Sequence, residues 1–198
     1  AHEAGIVYVD DSASWADVVD GNGTLDATGE VNASIPGTYT LTYIYTDEAG
    51  NAAQTVTRTV NVVDRTAPVI TLNGDANIAH EAGIVYVDDS ASWADAVDGN
   101  GTLDATGEVN ASIPGSYTLS YNFTDAAGNV AQTVTRPVDV EDTIAPVISL
   151  NGDANSMHEA GFVYVDANAN WTDAVDGSGT LVATDQVNVS VPGIYELV

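Results

Sequence analysis

Asp17, Asp20, Asn22, Thr24 and Asp26 return as Asp95, Asp98, Asn100, Thr102 and Asp104. Counted from Asp20 or Asp98, oxygen-bearing side chains stand at every second position, which is how a calcium loop aims hard oxygen ligands at one ion. Asp17, Asp20, Asn22, Asp26, Asp95, Asp98, Asn100 and Asp104 are therefore the first candidate ligands for Ca2+. The loop has Leu25 where an EF-hand needs glycine and Val31 where it needs glutamate. The third occurrence has Ser178 for the asparagine and Val182 for the last aspartate. Asp and Asn also favour turns for purely local reasons, so turn chemistry competes with the metal reading. A second candidate is the acidic pair Glu141 and Asp142, which with Asp153 could converge on a cation where one copy meets the next. At the first junction Arg65 supplies a charge of its own that competes with a cation.

Composition supports hard cations and opposes most other chemistry. Three Lys and Arg stand against 29 Asp and Glu, for a net charge of −26. Such a chain repels itself unless cations screen or bind it. A general affinity for nucleic acid needs a basic face and is excluded as a partner class. No run of residues is apolar enough to insert in a membrane in this segment. Cysteine is absent, which removes disulfides and thiolate metal sites. Each of His2, His80 and His158 precedes a glutamate, but one histidine per copy is far below what a transition-metal site needs, and a structural role is expected. Arg58 and Arg136 fall in phase with inward valines, so each is expected in a structural salt bridge. Serine, threonine and carboxylates abound without a motif that would arrange a base or nucleophile, so no catalytic residue is assigned and the chain reads as no enzyme.

These residues sit on a repeating scaffold. His-Glu-Ala-Gly begins at residues 2, 80 and 158, a period of 78. Residues 1–78 and 79–156 share 64 of 78 identities, and 157–198 keeps 27 of 42 against 79–120. A unit of this length is large enough for one core, so each copy is expected to fold as a domain. The expected domains are 1–64 (lacking its first strand), 65–142 (complete) and 143–198 (truncated at its end). The linkers Val63–Pro68 and Glu141–Pro146 are short and proline-stiffened, which favours an extended arrangement of neighbouring repeats.

Within one copy, short β-rich runs alternate with Gly, Pro, Asn and Asp punctuation. Residues 67–74 and 84–87 read as strands, and Asp98–Gly101 as a turn cluster. Residues 116–123 alternate large apolar with small polar side chains at period 2, placing Tyr117, Leu119, Tyr121 and Phe123 inward and Thr118, Ser120 and Asn122 outward. The copies agree: Tyr45 becomes Phe123 on the inner face, whereas Ile44 becomes Asn122 on the outer. Asp125–Asn129 reads as a hairpin loop, and 132–140 as a strand with Val134, Arg136, Val138 and Val140 on one face. Trp93 is expected to anchor the core. No long amphipathic helix is present. The pattern predicts an all-β chain of tandem immunoglobulin-like antiparallel β-sandwiches arranged end to end.

Ala-Pro-Val-Ile-x-Leu-Asn-Gly (67–74, 145–152), Asp-Ala-Val-Asp-Gly (95–99, 173–177), Pro-Gly-x-Tyr (114–117) and Thr-Asp-x-Ala-Gly-Asn (46–51, 124–129) resemble the Ig-like repeats of large bacterial secreted and surface proteins, including HYR- and cadherin-like modules. The resemblance covers the whole chain. It implies a β-sandwich, an extracellular or cell-surface location, adhesion and, in some members, calcium at module junctions. The expected partners are neighbouring repeats, other copies in a filament or a surface ligand. The leading function is a structural or adhesive stalk. The alternative is a carbohydrate- or matrix-binding accessory module of a secreted enzyme.

Overall fold

The computed structural model describes residues 1–198, and all of its regular structure is β-strand. Residues 1–64 hold β1 (His2–Glu3), β2 (Ala13–Asp17), β3 (Gly21–Leu25), β4 (Gly37–Tyr43) and β5 (Val56–Val63). Residues 65–142 hold β6 (Val69–Leu72), β7 (Ile78–Glu81), β8 (Ala91–Asp95), β9 (Gly99–Leu103), β10 (Gly115–Tyr121) and β11 (Val134–Glu141). Residues 143–198 hold β12 (Val147–Leu150), β13 (Ala169–Asp173) and β14 (Gly177–Leu181). The sheets run β1-β5-β4, β2-β3, β6-β8-β9, β10-β11-β7 and β12-β13-β14.

Two compact units contain these strands. One comprises Ala1–Ala76, Asp89–Thr106 and Ser120–Thr135; the other comprises Asn77–Asp88, Gly107–Leu119 and Arg136–Val198. Residues 65–142 thus contribute to both.

The first copy shows the sandwich directly. Ala4, Leu41, Tyr43, Val60 and Val62 form a buried cluster drawn mainly from β4 and β5. Ala13 from β2 and Leu25 from β3 pack against it, so two sheets share one apolar layer. That layer exists because alternate residues of a strand share a face: in β4, Tyr39, Leu41 and Tyr43 point in while Thr38 and Thr40 point out. In β10, Leu119 and Tyr121 are buried and Thr118 is exposed, with Tyr117 and Phe123 half-buried and Asn122 exposed beyond it. Ser120 departs from the expected pattern by being half-buried. In β11, Arg136, Val138 and Val140 are buried and Val134 half-buried, as the alternation predicts.

Two local expectations differ from the fold. Ile84–Val87 is not a strand; the strand lies upstream as β7. Only Tyr86 of the run is half-buried; Ile84, Val85 and Val87 are 54%, 83% and 79% exposed, and no neighbouring ladder receives the segment. Instead β7 pairs with β11 in parallel, Val138 opposite Ile78 and Val140 opposite His80, just as β1 pairs in parallel with β5. These are parallel edges on sheets expected to be wholly antiparallel. The turn cluster at Asp98–Gly101 is also displaced: the turn is Ala96–Asp98, and Gly99 already begins β9. Glycine is read as a turn former from sequence, whereas Gly101 is here for space.

A Cβ on Gly101 would lie 2.7 Å from Trp93 Nε1, and the same close approach recurs at Gly23 over Trp15 and Gly179 over Trp171. Trp93 is half-buried rather than central to the core, pressed onto Gly101 and stacked on Phe123 with centroids 3.9 Å apart. Trp15 stacks on Tyr45 in the same way. Gly101→Ala is expected to displace the indole and cost about 1–3 kcal/mol. A urea titration followed by tryptophan fluorescence checks this, and an unchanged midpoint would show that the stack is free to move.

Candidate functional site

The turn between β8 and β9 is organised by its first aspartate. Asp95 Oδ1 accepts the N–H groups of Val97 at 2.7 Å and Asp98 at 3.0 Å. Asp17 does the same for Val19 and Asp20, and Asp173 for Val175 and Asp176. The N–H groups of Asp176 and Val175 hold the Asp173 carboxyl below the usual aspartate range. Half of the chemistry at these aspartates is therefore turn chemistry.

The last aspartate of the turn reaches a different loop. Asp98 Oδ2 accepts the Ala126 N–H at 2.8 Å, and Asp20 Oδ2 accepts the Glu48 N–H at 3.2 Å. That loop is the Thr-Asp-x-Ala-Gly-Asn motif. It closes on itself: Asp125 accepts the Asn129 N–H at 2.7 Å and the Asn129 side-chain amide at 2.8 Å. Thr124 and Val130 form an isolated bridge across it, which makes it the expected hairpin loop. The Asn129 amide also donates to the Asp64 carbonyl at 3.4 Å, so the loop touches the linker.

These contacts bring three carboxylates together. Asp64, Asp95 and Asp98 each offer an oxygen, and the three lie within 4.8 Å of one another. Asp142, Asp173 and Asp176 form a second such group. In each, a linker aspartate faces the turn of the next copy. The Oδ2 atoms of Asp64 and Asp95 are out of contact with solvent and have no hydrogen-bond partner. Burial raises the Asp64 carboxyl above its ordinary range, and the charges of Asp95, Asp125 and Glu3 add to this against the Thr66 N–H that it accepts.

Of the residues expected from spacing, Asp95, Asp98 and Asp142 belong to these groups. Asp17 and Asp20 hold the equivalent turn of the first copy. Asn22 and Asn100 lie within β3 and β9, opposite Ala16 and Ala94. Asp26 and Asp104 directly follow those strands, and Asp26 accepts a hydrogen bond from the Ser12 hydroxyl at 3.1 Å. Oxygens at every second residue of a strand form a row with steps of about 6.6 Å, so the spacing that converges in a loop spreads out here. Glu141 sits in β11 opposite Glu81 and is not one of the clustered carboxylates.

Asp64, Asp173 and Asp176 were not among the candidates from spacing. Their signal was available in the repeat itself. Asp64 and Asp142 are one period apart while their neighbours change from Val63 to Glu141 and from Arg65 to Thr143. Ser178 and Val182 made the third copy look degraded, yet neither position belongs to the carboxylate group.

Other polar groups are structural, as their sequence context implied. Arg58 pairs with Asp10 and Arg136 with Asp88. Tyr43 Oη donates to Asp10 at 2.8 and 2.9 Å, and its ring lies 5.5 Å from the Arg58 guanidinium carbon. Burial pushes the Asp10 carboxyl up, but the Tyr43 hydroxyl, the Ser12 N–H and Arg58 outweigh it and hold it below the usual range. The histidines His2, His80 and His158 each bond through Nε2 to the carbonyl four residues on and pack edge-on against a tyrosine.

Contacts between successive copies accompany the clusters. In the first unit a Cβ on Gly5, at φ 78°, would lie 3.1 Å from the Ala96 Cβ, and Val97 packs against the first copy's core. Glu3 accepts the N–H of Arg65 and the hydroxyl of Thr66. In the second unit Gly83 meets Ala174 at the same 3.1 Å, and Glu81 accepts the N–H and hydroxyl of Thr143.

With strands, glycine seats and turns repeating in this order, the family model described as bacterial surface protein, Ig-like domain, matches residues 2–62 and 70–140. The chain belongs to this family. Hyalin of Strongylocentrotus purpuratus is 32% identical to it over 154 residues, covering 73% of this chain and 13% of that protein. Hyalin of Lytechinus variegatus is 37% identical over 119 residues, covering 56% of this chain and 22% of that protein. The Ig-like chain thus spans under a quarter of the length of either hyalin. Among solved structures, a lipoprotein from Bacteroides thetaiotaomicron aligns with a TM-score of 0.34 at 26% identity over 39% of each chain. No helix of this Ig-like chain is long and apolar enough to cross a membrane.

Proposed function

We propose that this chain is a non-catalytic structural and adhesive segment of a large secreted or cell-surface protein, in which tandem Ig-like copies form an extended stalk or filament. One observation carries the reading: the junction between copies is built twice from the same parts. Gly5 seats Ala96 as Gly83 seats Ala174, and Glu3 accepts the N–H of Arg65 as Glu81 accepts the N–H of Thr143 one period on. Repeated use of one set of junction contacts adds each copy to the last by the same step, which generates an extended array. Membership of a bacterial surface Ig-like family supports the location. The net charge of −26 keeps such a segment soluble and away from anionic membranes.

The second reading, a carbohydrate- or matrix-binding accessory module, draws on a cavity of about 570 Å³ lined by Trp15, Tyr43, Tyr45, Asp47 and Asn51. Trp15 and Tyr45 are stacked on each other there rather than splayed to receive a ring. In the second copy β6 lies along the corresponding edge of β8. Both facts favour the stalk.

Small-angle scattering of the chain tests the proposal. Each complete copy should add roughly 30–40 Å to the longest dimension if strands of ~10 residues rise about 3.3 Å per residue along it. A radius of gyration near ~16 Å, that of a compact globule of this length, would overturn the stalk reading.

A further inference from the structure

Three asparagines, one per copy, share a single local geometry. Asn32, Asn110 and Asn188 each stand two residues before a serine, at Ser34, Ser112 and Ser190. Each Oδ1 accepts that serine's N–H, at 3.0, 3.1 and 3.1 Å. The asparagine carbonyl accepts the N–H of the third residue on, at 3.3, 3.2 and 3.1 Å, which closes the turn. A tyrosine hydroxyl holds that third residue's carbonyl at 2.9 Å in every copy. The asparagines and serines are exposed, and the asparagine Nδ2 and serine hydroxyl have no partner in the protein. The turn itself gives no reason for asparagine. Asp10, Asp17, Asp64, Asp95, Asp166 and Asp173 each accept the N–H two residues on in the same way. A carboxylate is the stronger acceptor for such a bond. What asparagine adds is Nδ2, and Nδ2 does nothing inside the protein. The third copy keeps only 27 of 42 residues of the second and has Val189 for Ala111 between the pair, yet it retains both Asn188 and Ser190.

We propose that Asn32, Asn110 and Asn188 carry N-linked oligosaccharide, one glycan per Ig-like copy. Asn-x-Ser/Thr with x other than proline is the acceptor sequence for this modification, which falls on exposed loops of secreted proteins. The donor is an oligosaccharide carried on a polyprenyl diphosphate. A bond forms between Nδ2 and C1 of the first sugar, the C1–O bond to the diphosphate breaks, and the carboxamide gives up one proton. The Oδ1 bond folds the serine back onto the asparagine, so one transferase can engage the carboxamide and the hydroxyl together. Four other Asn-x-Ser/Thr sequences are not presented this way. Asn22 and Asn100 lie within the paired strands β3 and β9. Asn170 lies in β13 and donates Nδ2 to Asn151 Oδ1 at 2.8 Å. Asn122 Oδ1 accepts the Thr133 hydroxyl at 2.5 Å. The carbonyls of Ala33 and Ala111 accept the N–H groups of Gly5 and Gly83, the glycines that seat Ala96 and Ala174. Glycans at Asn32 and Asn110 therefore stand beside the contacts between successive copies. This inference rests on the surface location of the proposed function and not on the stalk.

The test takes the protein from the surface of the cells that make it, digests it and sequences the peptides by mass spectrometry. Peptides holding Asn32, Asn110 and Asn188 are expected to carry sugar on the asparagine, and those holding Asn22, Asn100, Asn122 and Asn170 none. Variants expressed in the same cells identify the groups at work. Asn32→Asp and Ser34→Ala both keep the turn, because aspartate still accepts and the backbone N–H still donates, so both should fold. Each should lose the sugar at residue 32 completely and leave residues 110 and 188 occupied, whereas Ser34→Thr should keep all three. Bare asparagines at 32, 110 and 188 in protein recovered from the surface would overturn the proposal and leave the surface location standing. Sugar retained at Asn32 in Ser34→Ala, or found on the strand asparagines in place of the turn ones, would defeat it as well. Protein recovered only from the cell interior would remove the surface location and the glycans with it.

Discussion

Asp88→Ala is expected to destabilise the second copy by about 3–5 kcal/mol, the cost of leaving a buried charge without its counter-ion. Arg136 has only 1% of its side chain exposed, and Asp88 has 18%. The guanidinium enters the core because it occupies an inward position of β11, between Val134 and Val138 in the alternation. Charge at such a position is tolerable only when paired and hydrogen-bonded. Tyr86 adds to the arrangement by donating its hydroxyl to Asp88 at 3.2 Å. The first copy supplies an internal comparison. Arg58 pairs with Asp10 at the equivalent place, but 36% of the Arg58 side chain is exposed. Water can solvate that guanidinium when the carboxylate is removed, so Asp10→Ala should cost clearly less than Asp88→Ala. Replacing Arg136 and Asp88 together by Met and Leu should recover most of the loss, because apolar residues of similar volume often substitute for a buried pair at little cost. Thermal melts of the three variants check these expectations. A cost for Asp88→Ala below about 1 kcal/mol would mean that the pair behaves as an ordinary surface ion pair.

Leu119→Ala should cost about 2–5 kcal/mol through lost apolar transfer and the cavity left behind. Leu119 is 3% exposed and lies on the inner face of β10. On the outer face, Asn122→Ile should change stability by no more than about 0.5 kcal/mol. The first copy already carries Ile44 at that position, where it is 57% exposed. Guanidinium denaturation of both variants against the parent chain measures the contrast. Equal effects from the two substitutions would show that the faces of this strand are not distinguished by burial.

The faces of β4, β10 and β11 were legible in the sequence because they depend only on local geometry. Successive side chains of a strand alternate, so period 2 in polarity becomes period 2 in burial once a second layer covers one side. The three near-copies sharpened this by showing which face tolerates an exchange such as Ile44 to Asn122. Arg58 and Arg136 were placed by the same phase, and the abundance of carboxylates made their pairing expected. The Thr-Asp-x-Ala-Gly-Asn loop was equally local, since Asp125 and Asn129 satisfy each other within five residues.

What the local pattern could not decide was partnership. Ile84–Val87 has the composition of a strand, but pairing requires an edge, and β11 offers its edge to Ile78–Glu81 instead. The acidic residues show the same division at greater cost to prediction. That Asp95 and Asp98 belong to one turn follows from their spacing, whereas Asn100 and Asp104 leave the turn because β9 begins at Gly99. That Asp64, about thirty residues earlier, stands beside them is a property of how the linker docks on the next copy. The sequence by itself determined the repeat, the strand faces, the acidic charge and the absence of sulfur ligands. Only the tertiary structure decided which carboxylates converge, because convergence depends on distances between segments remote in the chain.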